Sequence, residues 1–192
     1  MPSPASIRAG RAQRRLIATI AAVVVAVDAA TKAVAARALD GRGVVNVLGG
    51  LFHLELYRNF AGPGNILQGH PVLVSALSLF AVILIAAASW TVRATGLAVA
   101  CGLLLGGGIG NLVDRLLGSP GPLRGGVIDW IKPTLSSGSL NVADLSINAG
   151  VIAVLVALTI DWYRQRHDHR DGDPGGEGRP DASHCDLTAR RT

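Results

Sequence analysis

The stretch GLLLGGGIGNLVDRLLG, residues 102–118, combines glycines suited to helix packing with three polar side chains inside an apolar run. Glycines in an apolar helix allow a neighbouring helix to approach closely, and Gly106 and Gly110 have the small-xxx-small spacing that favours such packing. Polar groups beside lipid are costly and need partners. Those in this run are Asn111, Asp114 and Arg115. The stretch therefore predicts a membrane helix that packs against another helix carrying complementary polar groups.

The composition of the whole chain agrees with a membrane protein. Its 192 residues are 49% hydrophobic and only 16% charged, with a mean hydropathy of +0.41, whereas about a quarter of the residues in soluble domains are charged. Four apolar runs are long enough to span about 30 Å of hydrocarbon, at residues 16–36, 72–91, 94–116 and 142–162. We therefore expect an all-α membrane protein with four transmembrane helices.

The basic residues flank these runs and predict their orientation. The formal net charge is +5, and arginines precede the first run, separate the second from the third, and follow the fourth. By the positive-inside rule both termini face the cytoplasm, so the excess charge indicates no nucleic-acid partner. We expect a basic cytoplasmic N-terminus at residues 1–15, a four-span domain at 16–163 and a disordered cytoplasmic tail at 164–192. The first run also resembles a secretory signal peptide, a less favoured alternative because the helical pattern continues through Lys32.

The segment between the first two runs predicts a small β-rich region on the outer face. In LFHLELYRN, residues 51–59, apolar side chains alternate with polar ones, and Gly49 and Gly50 precede them as a turn. After Asp129 the sequence continues as WIKPTLSSGSL, where Trp130 and Lys132 suit the membrane interface. Pro133 and the Ser and Gly residues that follow it predict a surface loop.

Two carboxylates, Asp129 and Asp144, lie at the edges of apolar segments. An ionised group is costly there, so its presence indicates a structural or functional role. Asn141 and Asp144 are spaced like a capping box that opens the fourth helix. The alternative is a pair of acids that share a proton and activate water. With both termini inside, the topology brings one set of polar residues to the outer face, which favours a functional site: Asp28, Lys32, Asn59, Asn111, Asp114, Arg115, Asp129, Asn141 and Asp144.

The histidines and cysteines predict no metal site. His53 and His70 have no other His or Cys at ligand spacing, so we interpret both as surface residues. Cys101 lies in the third run and Cys185 in the polar tail, so we expect no disulfide between them. We expect neither a metal nor another cofactor.

Four short motifs, in this order, resemble the signature of bacterial lipoprotein signal peptidases, also called signal peptidase II. They are DAATK at residues 28–32, GGGIGNLVDR at 106–115, GVIDW at 126–130 and LNVAD at 140–144. The resemblance implies a monomeric intramembrane aspartic endopeptidase of the bacterial inner membrane, with its active site near the outer face. It would act on prolipoproteins within membrane lipid and cut before the cysteine that carries diacylglycerol.

The resemblance also implies roles for individual residues. Asp129 and Asp144 match the catalytic pair, and Asp28, Lys32 and Asp114 match structural polar positions. The positions that would bind substrate are Asn59, Asn111, Arg115 and Asn141. The sequence departs from the family pattern at two places. One is NFAGPG at residues 59–64, where the family usually has Asn, any residue, Gly, two small residues and Phe. The other is Leu140, where the family commonly has Phe.

Two other functions remain open at this point. A small transporter or channel component could use the same aspartates to carry protons or a cation, but it predicts polar groups at mid-membrane depth and on both sides. A divergent, non-catalytic paralogue would keep the fold without the reaction. Release of a signal peptide by the purified protein discriminates among the three.

Overall fold

The computed structural model describes residues 4–62, 64, 66–136 and 138–171, and it confirms a mostly helical membrane fold with a small sheet. The elements in chain order are α1 (Pro4–Leu39), β1 (Val45–Val47), β2 (Phe52–Asn59), α2 (Pro71–Ser89), α3 (Thr95–Leu117), β3 (Val127–Pro133) and α4 (Val142–Asp171). The chain divides after Ala157 into two compact units, the second of which begins at Leu158 within α4.

Four of the described helices are long and apolar enough to cross a membrane, by length and composition. These candidate spans are Ala9–Leu39, Pro71–Ser89, Thr95–Leu117 and Val142–His167. The second and third agree with the predicted runs to within two residues, but α1 and α4 extend into segments that composition had assigned to polar tails. A nucleated helix propagates readily through polar side chains. Residues 172–192 of the expected tail lie outside the described part of the chain.

Close contact between α1 and α3 depends on glycines spaced four residues apart on α3. A Cβ atom on Gly102 would lie 2.8 Å from the Cβ of Ile20, and one on Gly106 would lie 2.6 Å from the Cβ of Val24. At Gly110 the added atom would lie 2.7 Å from the Oδ2 atom of Asp28. Any side chain at these positions would force the two helices apart, and the last would also displace a polar group.

The other two helices expose apolar side chains that suit contact with lipid. Only Val74, Ser75 and Ser89 of α2 are buried, while Phe80 is 59% exposed. On the first unit's part of α4, Ile152 is 61% exposed. Exposure of this kind is expected of helices whose apolar side chains face lipid.

A three-stranded antiparallel sheet, in the order β1-β2-β3, pairs two strands from the first third of the chain with a strand that follows α3. Strands β1 and β2 occupy the predicted region and pair from Val45 with Leu54 to Val47 with Phe52. Turn residues after Pro133 begin the predicted surface loop, but the strand before them was not predicted: β3 runs to Pro133 and pairs with β2. Its side chains alternate, so that Val127 and Asp129 point inward and are 2% and 1% exposed.

The beginning of α1 packs against the connection between α2 and α3. The Arg14 guanidinium lies 5.2 Å from the centre of the Trp90 ring, and the Gln13 side chain donates a hydrogen bond to the Thr95 hydroxyl at 3.2 Å. The flanking basic residues of α1 thus lie at the same end of the helices as this connection.

Candidate active site

Asn141 connects the two candidate carboxylates. It precedes α4, and its side-chain amide donates to the Oδ1 atom of Asp129 at 2.7 Å. Its backbone N–H donates to the Oδ2 atom of Asp144 at 3.1 Å, and the Asp144 N–H returns a bond to the Asn141 side-chain oxygen at 2.9 Å. This reciprocal pair is the capping box suggested by the sequence. The same residue therefore begins the helix and joins both acids, so the two interpretations of the motif are compatible.

Asp129 receives a second hydrogen bond from the neighbouring strand β2. The Asn59 amide, at the end of β2, donates to its Oδ2 atom at 3.2 Å. The Asn59 side-chain oxygen accepts the backbone N–H groups of Ala61 at 3.1 Å and Gly62 at 3.0 Å. These bonds fix the amide orientation, so that its nitrogen faces the carboxylate.

Asn111 on α3 is a junction among three side chains. Its oxygen accepts from the Lys32 ammonium group at 3.1 Å and from the Asn141 amide at 3.1 Å. With the oxygen occupied in this way, its nitrogen donates to the Oδ1 atom of Asp144 at 2.8 Å. Because both acceptor positions are used, the side chain can present only its donor to Asp144.

Lys32, which contacts Asn111, also joins α1 to α3 through two ion pairs. Its ammonium nitrogen lies 2.6 Å from the Oδ2 atom of Asp28, one turn earlier on α1, and 2.8 Å from the Oδ2 atom of Asp114 on α3. Lys32 is 3% exposed and Asp28 is 1% exposed. The ion pair within α1 is therefore part of a larger network that reaches α3.

Arg115 is buried one turn after Asn111. Its guanidinium donates to the Asn111 backbone oxygen at 3.1 Å, and its own backbone oxygen accepts the Gly125 N–H at 3.2 Å. Arg115 thus ties α3 to the segment that leads into β3.

The charges in this network favour retention of a proton. The network contains two cations, Lys32 and Arg115. It contains four carboxylates, those of Asp28, Asp114, Asp129 and Asp144. Burial raises the pKa of Asp129 to about 6, and the nearby Asp144 carboxylate acts in the same direction. Hydrogen bonds from Asn59 and Asn141 partly oppose this rise because they stabilise the ionised form.

The structure brings all nine sequence-predicted polar residues into one connected network. The two histidines lie apart from it: His70 is exposed before α2, whereas His53 is half-buried and contacts Asn46 at 2.6 Å and Thr134 at 3.2 Å. Across the described residues, no group of three or more His, Cys, Asp or Glu side chains is arranged to hold a metal ion.

Two backbone contributions to the network were missed. The N–H of Ala143 donates to Asp28 at 2.9 Å, and the N–H of Ile128 donates to Asp114 at 3.2 Å. The second requires strand β3, whose β-branched residues were the available signal. The first joins residues 115 positions apart, and no local pattern indicates it.

These features define a multi-pass membrane protein with a buried, carboxylate-rich site, and the comparisons with known proteins agree. The family model described as signal peptidase (SPase) II matches residues 20–160. The lipoprotein signal peptidase of Mycolicibacterium smegmatis is 35% identical over 169 residues, covering 83% of this chain and 69% of that protein. That of Mycobacterium avium is 36% identical over 152 residues, covering 78% and 81%.

Solved structures show the same fold. One bacterial membrane enzyme, solved by the in meso method at 2.3 Å resolution, has a TM-score of 0.65 at 23% identity and covers 83% of this chain and 92% of its own. A second, at 1.9 Å resolution, has a TM-score of 0.62 at 26% identity and covers 73% and 90%. The chain belongs to the signal peptidase II family. This membership makes it a peptidase and favours that class over a transporter.

Proposed function

We propose that this protein is an aspartic endopeptidase that removes the signal peptide from diacylglyceryl-modified prolipoproteins, with Asp129 and Asp144 as its catalytic pair. The bond it cuts precedes the lipidated cysteine. Membership of the signal peptidase II family supports the substrate class, and the aspartic mechanism rests on the geometry of the two acids.

The observation that carries the mechanism is the shared contact with Asn141. A single residue donates to Asp129 from its side chain and to Asp144 from its backbone, which holds the two carboxyl groups in one site. Like charges held this close cannot both ionise cheaply, so the pair retains one proton and titrates as a unit. The raised pKa of Asp129 agrees with such a shared proton.

The chemistry then needs one ionised and one protonated carboxyl group. The ionised carboxylate takes a proton from a water molecule while that water's oxygen attacks the scissile carbonyl carbon. The protonated carboxyl gives its proton to the carbonyl oxygen, and a tetrahedral diol forms. Transfer of a proton to the amide nitrogen then allows the carbon–nitrogen bond to break, leaving a new carboxyl terminus on the signal peptide and a free amino group on the lipidated cysteine.

The remaining polar residues fall into two groups. Asn59, Asn111, Arg115 and Asn141 surround the acids. The first three have further N–H groups for the peptide backbone or the developing oxyanion, whereas both amide hydrogens of Asn141 already hold Asp129 and Asn111 in place. Asp28, Lys32 and Asp114 lie behind them and hold the helices in place. We propose a location in the bacterial inner membrane, with both termini cytoplasmic and the pair near the outer face, where the substrate cysteine follows its membrane-spanning signal peptide.

Cleavage of a diacylglyceryl-modified prolipoprotein by the purified full chain in lipid tests the proposal. We expect native protein to release the signal peptide, and Asp129→Asn and Asp144→Asn each to reduce kcat by at least about a thousandfold, since each removes a proton-transfer group. Asp40→Asn is the matched control, because Asp40 is exposed in the turn after α1. It should stay within about twofold of native activity.

Three outcomes would contradict the proposal. No turnover by folded native protein would indicate a non-catalytic paralogue. Appreciable turnover by either site variant would remove that residue from the pair. Cleavage at a bond other than the one before the lipidated cysteine would change the specificity assigned here.

A further inference from the structure

A cavity beside the candidate active site has features that the peptidase reaction does not use. Its volume is about 620 Å³, and it lies among the end of β2, the start of α2 and the segment that follows α3. The lining residues are Arg58, Phe60, Gly69, Pro71, Ser119, Pro120 and Arg124. Two guanidinium groups thus open on one cavity whose remaining wall is largely apolar.

The two arginines lack the partners that usually neutralise such a pair. Among the described residues, neither Arg58 nor Arg124 forms an ion pair or a side-chain hydrogen bond, and no Asp or Glu lines the cavity. Lys132 and Glu55, two other charged residues of the sheet, pair with each other at 3.6 Å. An uncompensated pair of guanidinium groups attracts an anion, and guanidinium matches phosphate oxygens in a bidentate geometry.

The backbone that carries Arg124 is held in a defined position. The preceding residue, Leu123, has a φ of +62°, and its carbonyl oxygen lies 2.8 Å from the hydroxyl of Ser75, which is fully buried on α2. The N–H of Arg124 donates to Gly121 at 3.0 Å, and the next N–H donates to Arg115 at 3.2 Å. A non-glycine residue at positive φ costs energy and persists only where its surroundings hold it. The site is therefore organised before any ligand arrives.

The location of the cavity indicates the source of the anion. Helix α2 has 19 residues, which gives a length of about 28 Å and nearly matches the hydrocarbon thickness of about 30 Å. Its first residue, Pro71, lines the cavity, so the two arginines lie where hydrocarbon meets the polar headgroups. Phospholipid phosphates occupy this level, and basic pockets at membrane helices recognise lipid headgroups.

We infer that this cavity binds the phosphodiester of an anionic phospholipid, with Arg58 and Arg124 on the phosphate and Phe60 and the prolines against its glycerol and upper acyl carbons. The bound lipid would lie next to the carboxylate site. Asn59 stands between Arg58 and Phe60, and a Cβ atom on Gly126 would lie 2.8 Å from the Phe60 ring. The inference does not depend on the assignment of the catalytic pair.

Native mass spectrometry of the full chain, released from an uncharged detergent, tests this inference. The protein is titrated with phosphatidylglycerol, phosphatidylcholine and inorganic phosphate. We expect phosphatidylglycerol to bind at least tenfold more tightly than phosphatidylcholine, whose choline cation is repelled by the arginines. Inorganic phosphate should bind at least tenfold more weakly than phosphatidylglycerol because it lacks the apolar part.

Arginine variants test whether phosphatidylglycerol binds in this cavity. The double variant Arg58→Gln/Arg124→Gln should lose at least tenfold in affinity for phosphatidylglycerol, whereas Arg58→Lys/Arg124→Lys should lose less because it keeps the charge. Arg42→Gln is the matched control, since Arg42 is exposed and does not line the cavity. It should remain within twofold of native protein. The three arginines changed in these variants and the control are exposed, so the melting temperature should not change.

Two results would overturn the inference. If the double Gln variant binds phosphatidylglycerol as tightly as native protein and the Arg42→Gln control do, the lipid binds elsewhere. If inorganic phosphate binds as tightly as phosphatidylglycerol, the arginines hold a free anion and not a lipid.

Discussion

The carboxylate of Asp28 on α1 accepts a hydrogen bond of 2.9 Å from the backbone N–H of Ala143, the second residue of α4. The first four N–H groups of a helix have no partner within it. An anion at this end also interacts favourably with the helix dipole. Asp28 thus caps a helix that begins more than a hundred residues later, and it fixes the start of α4, which carries Asp144.

Replacement of Asp28 by alanine should destabilise the protein more than it changes the chemistry. Asp28→Ala removes both the cap on Ala143 and one of two counter-charges of buried Lys32, and we expect a loss of about 3 kcal/mol in unfolding free energy. Asp28→Asn keeps an acceptor for the cap and loses only the charge, so its loss should be smaller. Thermal unfolding in detergent measures both. Unchanged melting with no activity would instead place Asp28 in the reaction.

Replacement of Asn111 should separate its acceptor role from its donor role. Asn111→Leu removes all three side-chain contacts, and we expect lower stability and a fall in kcat of about a hundredfold through misplacement of Asp144. Asn111→Asp keeps acceptors for Lys32 and Asn141 but sets a carboxylate against Asp144. It should therefore be inactive at neutral pH and recover activity at lower pH, where the new carboxyl can donate.

The control for both variants is Asn148→Leu, because Asn148 is exposed on α4. It should leave kcat and its pH profile unchanged. Full activity of Asn111→Asp at neutral pH would show that the donor to Asp144 is dispensable.

Local spacing allowed part of this site to be predicted from the sequence. Asn141 and Asp144 are three residues apart and form the capping box, and Gly106 and Gly110 lie on one face of α3 as their spacing requires. Each of these relationships depends on helix periodicity, which is already present in a short segment.

Strand β3 could not be recognised in the same way. Its inward face holds Val127 and Asp129, and its other face holds Ile128 and Trp130, so no alternation of polar and apolar residues is visible. The buried carboxylate hides the pattern because its place in the interior depends on donors from distant elements. One donor, Asn59, is 70 residues away.

The activity should fall as the pH rises through the upper apparent pKa of the acid pair. Burial and the Asp144 carboxylate raise the pKa of Asp129 from 3.8 to about 6, so the proton that the reaction needs is held below about pH 6 and lost above it. We expect kcat to decrease about tenfold per pH unit on that falling limb. The raised pKa of Asp129 also stabilises the folded protein. This contribution to the free energy of unfolding is fully present below pH 3.8 and is lost as the pH rises through about 6.

Asn59→Ala provides the internal test of this assignment. The Asn59 amide lowers the pKa of Asp129, so its removal should shift the falling limb to higher pH, whatever it does to the maximum rate. Asp40→Asn should leave the limb in place. A native profile that stays flat up to pH 9 would mean that no shared proton limits the reaction.

The last prediction concerns Gly62, in the loop where this sequence departs from the family pattern. Gly62 has a φ of +74°, a conformation that L side chains rarely adopt, and its N–H donates to the Asn59 side-chain oxygen at 3.0 Å. An added Cβ atom would lie 3.0 Å from the Val74 side chain. Gly62→Ala should therefore cost about 1 kcal/mol in backbone conformation and also displace the residue that orients the Asn59 amide.

Gly64→Ala is the matched comparison for that variant. Gly64 also has a positive φ, of +64°, but its added Cβ would make only an ordinary contact of 3.6 Å with Ile66, and Gly64 makes no hydrogen bond to Asn59 among the described residues. Both variants are destabilised by the left-handed backbone conformation, whereas only Gly62→Ala disturbs the Asn59 amide that donates to Asp129. We expect kcat/KM on a diacylglyceryl-modified prolipoprotein to fall about tenfold for Gly62→Ala and less than threefold for Gly64→Ala, since misplacement of a positioning group lowers the rate. Equal losses would mean that the loop contributes only its backbone stability, and that the orientation of the Asn59 amide does not depend on Gly62.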